Sequence, residues 1–190
     1  DRLNGSTSVA AANGAISNSS IIFDTRTTGV ELEAVLTPFN GFDIRASGMI
    51  QDPKVESVTT LTGLDAVSSQ GGQIPRVPKM QFSVEPSYRF TTGNLTTRVY
   101  ATLFTIGKRY QDYSNLSRLP AYTALDLGLS VAHRNGFALR AVVSNVTNEV
   151  GLTEGNARAA QITSGSPVAD ATVGRSIFGR NFTVSLSKTF

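Results

Sequence analysis

The stretch Phe182-Thr183-Val184-Ser185-Leu186-Ser187-Lys188-Thr189-Phe190 decides the fold of this chain. Large apolar side chains alternate along it with Ser and Thr, and its last residue is aromatic. Because successive side chains of a β-strand point to opposite faces, the stretch predicts a strand with one apolar and one polar face. It is long enough to cross a bilayer when tilted. The terminal Phe190 would then lie in the aromatic girdle at the lipid boundary of an outer-membrane barrel.

Composition narrows the class of protein. The 190 residues include no Cys, no Trp and one His, and 16% of them are charged, against about 25% in a typical soluble protein. No apolar run approaches the roughly 18 residues of a membrane-spanning helix, which excludes a helical membrane protein. Low charge with many Ser, Thr, Asn and Gly residues suits a two-faced β protein. The formal net charge of +3 is spread along the chain, so no nucleic-acid partner is expected.

The same alternation recurs in six earlier segments, so the sequence predicts seven strands and no helix. These segments begin near Val30, Phe42, Phe82, Leu95, Leu125 and Phe137. Their connections alternate between short (38–41, 91–94, 134–136) and long (57–76, 111–120, 151–176). Antiparallel up-and-down hairpins with tight turns on one side and long loops on the other are typical of outer-membrane barrels, in which the tight turns face the periplasm.

Charged side chains inside these strands fall on the polar face. They are Glu31, Glu33, Asp43, Arg45, Glu85, Arg89, Asp126 and Arg140. A cation on the lipid side at mid-membrane would cost about 2–4 kcal/mol of stability. The position of all these charges on one face therefore predicts a watery interior and a lipid-facing exterior. Lys188 is the exception, and it lies close enough to the chain end for its amine to reach the headgroups.

Seven strands are too few for a closed barrel, since single-chain bacterial barrels use even numbers from about eight upward. An open sheet in hydrocarbon would leave backbone groups unpaired at a prohibitive cost. We therefore expect residues 1–190 to be the carboxy-terminal part of a larger transmembrane β-barrel, with 1–25 an external loop and 26–190 strands and loops. An eighth strand near 7–23 is the alternative. The lack of a signal peptide fits a fragment or a processed chain.

Five stretches resemble the carboxy-terminal barrel of TonB-dependent outer-membrane receptors, and together the resemblance covers residues 20–190. They are TRTTGVELE (25–33), GKRYQD (107–112), LPAYTALD (119–126), VSNVTN (143–148) and the terminal FTVSLSKTF (182–190). The resemblance implies a barrel of twenty-two strands that is filled by an amino-terminal plug domain and imports scarce nutrients. It also implies energy from the inner-membrane TonB complex through the missing amino-terminal part, and recognition of Phe190 by the barrel-assembly machinery. The plug is absent from these residues.

No individual residue stands out as a ligand contact, so the ligand-binding residues remain unknown, and no catalytic, cofactor or metal residue is expected. The long loops would be extracellular and are the natural place for ligand contacts. Cations in or beside them would suit an anionic ferric chelate, although scattered loop charges are more often ordinary surface. These cations are Arg76, Lys108, Arg109, Arg118, Arg158 and Arg175.

The remaining candidate motifs favour structural interpretations. His133 is the only histidine and is predicted at the periplasmic edge, so a metal site or a Ser–His triad has little support. Four Asn-x-Ser/Thr triplets match the glycosylation pattern, but coincidence is the better interpretation in a chain rich in Thr and Asn. They begin at Asn94, Asn115, Asn145 and Asn181.

The sequence thus predicts an outer-membrane receptor or transporter barrel of a Gram-negative bacterium, in contact with lipid, and no enzyme. Its expected role is the energised uptake of a scarce nutrient, such as a ferric siderophore or another large ligand. A small structural or passive-pore barrel is the alternative, and an eighth membrane-spanning strand within 1–25 would favour it. A soluble secreted β-sandwich is a third interpretation, and such a chain would stay monomeric without detergent.

Overall fold

The computed structural model describes residues 2–10, 16–60, 71–111, 115, 118–156 and 173–189. These residues contain no helix, and hence no helix that could cross a membrane. The long strands are β1 (Arg2–Ala10), β2 (Ile16–Phe39), β3 (Phe42–Thr60), β4 (Met80–Thr92), β5 (Leu95–Ile106), β8 (Tyr122–His133), β9 (Phe137–Ser144) and β12 (Asn181–Lys188). The short strands are β6 (Arg109–Tyr110), β7 (Arg118–Leu119), β10 (Leu152–Asn156) and β11 (Val173–Ser176).

The long strands form one antiparallel sheet of eight strands, in the order β1-β2-β3-β4-β5-β8-β9-β12. Each long strand pairs with the next long strand along the chain, which is the predicted up-and-down arrangement. The short strands form two separate pairs, β6-β7 and β10-β11, within the long connections. β1 and β12 occupy the two edges and do not pair with each other, so the described sheet is open.

The amino-terminal segment differs from its predicted conformation. Residues 2–10 and 16–25, assigned to an external loop, are strands, and β1 runs antiparallel to β2 from the Arg2–Asp24 pair to the Ala10–Ile16 pair. The segment was hard to identify because Ser, Asn, Gly and Ala carry little strand propensity, and the ladder to β2 supplies the stabilisation. On this side of β2, residues 25–39 pair with no strand in the part of the chain that the structure describes.

The alternation of tight turns and long connections is confirmed. β2–β3, β4–β5 and β8–β9 are joined by residues 40–41, 93–94 and 134–136. Each turn contains a glycine in the left-handed region, with φ of 83° at Gly41, 59° at Gly93 and 90° at Gly136, a conformation that other residues adopt at a cost. All three turns lie at the end of the sheet where β12 finishes, because Lys188 pairs with Phe137. We refer to this as the turn side and to the opposite end as the loop side.

Cross-strand register places apolar side chains next to apolar side chains on one face. Along one row, Leu103 pairs with Leu125, and along another Leu127 pairs with Val143, which pairs with Phe182. Leu32 and Leu186 on this face are 69% and 71% exposed. Monomeric soluble proteins rarely expose an apolar surface of this extent. We call this face the outward face.

A cluster of hydrogen bonds around Asn145 joins the loop-side ends of three strands. Asn145 is 4% exposed and has a left-handed φ of 50°. Its backbone N–H donates to Oδ1 of Asp126 at 2.7 Å, and its Nδ2 donates to the carbonyls of Glu149 and Phe178 at 2.9 Å each. Its Oδ1 accepts the N–H of Glu149 at 2.8 Å. The cluster fixes the entry into β12 against β8 and β9, and this buried amide has no room for a glycan.

We expect Asn145→Ala to destabilise the protein by about 1–3 kcal/mol, because it leaves buried backbone groups without partners. The measurement is urea unfolding of the purified protein in detergent micelles, read from the transition midpoint at an unchanged slope. Asn181→Ala is the matched control, since that side chain is exposed and donates only a 3.3 Å bond to the Gly179 carbonyl. Equal losses for the two variants would contradict the assignment.

Candidate functional site

The polar face of the sheet, the inward face, carries an ion-pair network across three strands. Glu85 on β4 pairs with Arg98 on β5 at 2.6 Å and with Arg45 on β3 at 3.9 Å. The hydroxyl of Thr102 donates to the other oxygen of Glu85 at 3.2 Å. Both Glu85 and Arg98 are about three-quarters shielded from solvent, so their bond is screened less than a surface ion pair. One carboxylate therefore connects β3, β4 and β5.

The network continues through Tyr100 to β9. The Arg98 guanidinium lies 4.8 Å from the centre of the Tyr100 ring, and the Tyr100 hydroxyl accepts a hydrogen bond from Arg140 at 3.1 Å. Between them runs β8, where Gly128 is the direct partner of Tyr100. A Cβ at position 128 would collide with the ring, so only glycine lets the ring lie flat across β8 and reach β9. We call Arg45, Glu85, Arg98, Tyr100 and Arg140 the polar row.

Other charges on the inward face form no ion pair within the part of the chain that the structure describes. Arg89 lies directly opposite Arg98 in the β4–β5 ladder, an arrangement of like charges that destabilises a sheet. Glu31 and Glu33 on β2 form no ion pair with any residue that the structure describes. The inward face is therefore acidic at β2 and basic towards β5 and β9, and it leaves charge available for a second surface.

The inward face becomes apolar on the loop side. Phe23 and Val55 are each 1% exposed and Ile74 is 6% exposed, with Val58 and Val77 packed against them. In the β2–β3 ladder Phe23 pairs with Val58 and Thr25 pairs with Val55. Since Phe23 and Glu31 are an even number of residues apart on β2, the cluster lies on the same face of the sheet as Glu31. The apolar cluster thus sits beyond the charged part of the inward face.

The outward face becomes polar on the loop side, where the inward face becomes apolar. Its apolar side chains end on the loop side at the Val30–Ile50 pair, and the next two outward pairs, Thr28–Asp52 and Arg26–Lys54, are polar or charged. On the turn side they end in an aromatic cluster, in which the rings of Phe39 and Phe42 stack at 4.9 Å and those of Tyr88 and Phe90 at 5.7 Å. We call the surface between these limits the apolar band. At about 3.3 Å per residue and a tilt near 40°, it is about 23 Å tall, close to the roughly 25 Å of an outer-membrane barrel.

Two of the predicted loop cations meet at one carboxylate. Arg76 and Arg175 contact the two oxygens of Glu154 at 3.2 and 3.3 Å. This cluster retains one positive charge and lies on the loop side. Lys108 and Arg118 are exposed, and Arg158 falls outside the described residues.

Arg109 has a structural role rather than the predicted loop-surface role. It is 5% exposed, its Nη2 donates to the Leu152 carbonyl at 2.5 Å, and its guanidinium lies 5.6 Å from the centre of the Tyr122 ring. A buried cation with these partners cannot reach an external ligand. The sequence indicated its charge but not that the chain segment around Leu152 would cover it.

Two side-chain amides that the sequence analysis missed tie the long connections together. Oε1 of the buried Gln111 accepts the N–H of Gly155 at 2.8 Å, which joins the second connection to the third. Oδ1 of Asn115 accepts the backbone N–H of Gln73 at 2.6 Å and its Nδ2 donates to the Gln73 carbonyl at 3.0 Å, which joins the first connection to the second. No residue pattern signals such contacts, because each amide depends on a partner far away in the chain.

On the turn side, His133 and Lys188 both contact the 134–136 turn. Nδ1 of His133 is 2.6 Å from Oδ1 of Asn135 within the 134–136 turn. Nζ of Lys188 donates to the Asn135 carbonyl at 2.8 Å and lies 4.0 Å from the centre of the Phe137 ring. The amine of Lys188 is thus directed towards the edge of the sheet. Phe190 lies outside the described residues. Among the residues described, no group of three or more His, Cys, Asp or Glu could hold a metal ion.

Comparison with known proteins identifies similar folds. Residues 2–146 match the family model described as TonB dependent receptor-like, beta-barrel. The chain is similar to FyuA, the ferric yersiniabactin uptake receptor of Yersinia pestis, with a TM-score of 0.69 and 18% identity over 97% of this chain and 29% of that one. It is also similar to BauA, the ferric preacinetobactin receptor of Acinetobacter baumannii, with a TM-score of 0.66 and 15% identity over 97% of this chain and 26% of that one.

A third similar structure is the siderophore receptor PiuA of Acinetobacter baumannii, with a TM-score of 0.65 and 17% identity over 97% of this chain and 27% of that one. A search of curated protein sequences gave no match. The chain spans less than a third of the length of these three structures. At these identities the likeness concerns the fold.

We expect Gly128→Val to destabilise the protein by about 1–3 kcal/mol, the usual cost of overpacking, because it pushes the Tyr100 ring off β8. Adding Tyr100→Ser removes the collision, so Gly128→Val should cost much less in that background. The measurement is a double-mutant cycle from urea unfolding curves. Ala132→Val, at an exposed inward position of β8, is the control and should change little. A cost for Gly128→Val that is independent of Tyr100 would exclude this role of glycine.

Proposed function

The chain belongs to the TonB-dependent receptor β-barrel family, and from this premise we propose that it forms part of the outer-membrane wall of a nutrient-uptake receptor. The observation that carries the proposal is the in-register sheet, with an apolar band outside and charged side chains inside. No strand among the described residues pairs with the outer edge of β12 or with that of residues 25–39 of β2. Further strands of the same barrel would therefore complete the hydrogen bonding in lipid.

The proposed cargo is a ferric siderophore or another large, scarce ligand. FyuA, BauA and PiuA, which share this fold, are named as receptors for ferric siderophores or for siderophores. Arg76 and Arg175 outnumber Glu154 on the loop side, and a surplus cation there favours an anionic chelate. The long connections, held together by Gln73 and Gln111, would offer a pre-organised surface to such a ligand.

The proposed mechanism is ligand capture by the external loops, followed by rearrangement of a plug domain that is driven by the inner-membrane TonB complex. The polar row and the unpaired Arg89, Glu31 and Glu33 suit contact with such a plug, because they offer both signs of charge. Phe190 is the proposed signal for the barrel-assembly machinery. The role requires no catalysis by this chain.

A passive pore is the second candidate, because β1 is the eighth strand that a small barrel needs. The register disfavours it. β1 pairs with residues 16–24, which lie beyond the apolar band, and leaves residues 25–39 without a partner on that side. A small barrel closed by pairing β1 with β12 would require β1 to pair with residues 25–39 of β2, the part of that strand that includes the apolar band.

Uptake of radioactive ferric siderophores by intact cells tests the function. The gene that encodes the chain is expressed in a strain lacking its own siderophore receptors, with and without a functional TonB. We expect uptake of at least one ferric chelate that disappears when TonB is deleted. Equal permeation of small solutes with and without TonB, and no chelate uptake, would favour the passive pore.

The lipid contact of the outward face has a separate test. We expect Leu129→Arg, at mid-height in the apolar band, to cost about 2–4 kcal/mol, because it places a cation in hydrocarbon. Ser130→Arg, the adjacent inward position opposite Arg98 and Arg140, should be tolerated better despite the neighbouring cations, because it remains in water. Stability is measured by urea unfolding of the protein folded into phospholipid vesicles. A larger loss for Ser130→Arg would contradict the assignment of the faces.

A further inference from the structure

Two cations oppose each other on the outward face immediately beyond the apolar band. Arg26 on β2 pairs with Lys54 on β3, and Thr28 pairs with Asp52 between them and the edge of the band. Directly opposed like charges destabilise a sheet unless an anion lies between or above them. Arg26 and Lys54 are 71% and 56% exposed, so both remain open to the surroundings.

Asp52 holds a third cation in the same patch. Its two oxygens contact Nζ of Lys54 at 2.7 Å and Nζ of Lys79 at 3.2 Å. Hydrogen bonds from Lys54 and then Lys79 lower the pKa of Asp52, which therefore stays ionised. Each ammonium group has three donors and uses one on Asp52, so donors remain free. We call Arg26, Lys54 and Lys79 the outer cation patch.

The carboxylates nearby do not neutralise the patch. Glu56 approaches Arg26 only to 3.7 Å, which is too long for a hydrogen bond. Three cations face the two carboxylates Asp52 and Glu56, and the next outward residue of β2, Asp24, has Arg2 as its partner in the β1–β2 ladder. With that pair of opposite signs included, the formal charges still sum to +1. Side chains of Arg26, Thr28, Asp52, Lys54 and Glu56 line an open depression of about 510 Å³, which has room for a phosphate group.

The height of the patch identifies the class of ligand. Arg26 and Lys54 lie four residues beyond the Val30–Ile50 edge of the apolar band. At a strand tilt near 40°, four residues correspond to about 10 Å along the bilayer normal. The headgroup layer extends about 5–7 Å beyond the hydrocarbon on each side, and a Lys or Arg side chain is long enough to reach back into it. At this depth the anions that meet an outward-facing cation are headgroup phosphates.

We propose that the outer cation patch binds a phosphate group of an outer-leaflet lipid headgroup. The proposal rests on the proposed function, in which the outward face contacts lipid. Arg26 and Lys54 supply the opposed positive charges, and Lys79 adds a third cation. The ammonium groups of Lys54 and Lys79 offer the ligand the donors that Asp52 does not use. The patch would fix the depth and rotation of this wall segment in the membrane.

Fluorescence quenching in nanodiscs tests the proposal. The whole protein that contains this chain carries a fluorophore at Val30→Cys, which is convenient because the chain has no cysteine. Nanodiscs of phosphatidylcholine contain a small fraction of spin-labelled phosphatidic acid or of spin-labelled phosphatidylcholine with the same acyl chains. We expect stronger quenching by phosphatidic acid, because its headgroup is an exposed phosphate monoester.

Two variants should shift this preference in opposite directions. Lys54→Gln combined with Lys79→Gln should reduce the apparent affinity for phosphatidic acid by roughly 30-fold, at about fivefold per cation near a surface. Asp52→Asn removes a competing carboxylate and should raise the affinity by a few-fold. Lys108→Gln, an exposed cation outside the patch, is the control and should leave the affinity unchanged. Equal effects of the Lys54/Lys79 and Lys108 variants would overturn the proposal.

The readout separates failure of this inference from failure of the proposed function. If neither spin-labelled lipid quenches the fluorophore, the outward face does not contact lipid, and both proposals fail. If both lipids quench equally, the face contacts lipid but the patch does not select phosphate, and only this inference fails. Reversal of the preference by an equal concentration of glycerol phosphate in the buffer would assign the patch to a soluble anion and overturn the lipid proposal.

Discussion

Cross-strand register is the constraint on which the rest of this structure depends. A one-residue slip in any ladder would exchange the outward and inward faces of a strand, and would place charges such as Arg45 or Glu85 in the apolar band. The three tight turns set the register of their hairpins, and glycines in the left-handed region make those turns short. The rows of paired Leu, Val and Phe side chains follow from that register.

The two faces solve different physical problems. In the proposed membrane setting the outward face would need no specific contacts, because its apolar side chains would leave water whatever the arrangement of the acyl chains. The inward face must satisfy charged groups across several strands, and the polar row does so with an ion pair, a ring and a hydroxyl. Gly128 is as much a part of that row as Tyr100, because its missing side chain opens the path to Arg140. The exchange of polarity beyond Val30 on both faces marks where the membrane environment would end.

Side-chain alternation was enough to predict the seven strands that carry the apolar band, together with the tight turns and the face of each strand charge. It failed for β1 and for the start of β2, where Ser, Asn and Gly give no alternation and pairing alone makes the strand. The sequence also did not predict the burial of Arg109, the contacts of the Gln111 and Asn115 amides, or the cluster around Asn145. Each of these depends on contacts between loop residues that are distant in the sequence, and a local residue pattern carries no information about such contacts.

Successive residues of one strand are expected to face lipid and water in turn. Spin labels placed singly on β8, at positions 125, 127, 129, 130, 131 and 132 of the bilayer-reconstituted protein, test this arrangement. We expect high collision rates with dissolved oxygen at 125, 127, 129 and 131, and high rates with a water-soluble nickel chelate at 130 and 132. Equal accessibility to both reagents at adjacent positions would contradict it.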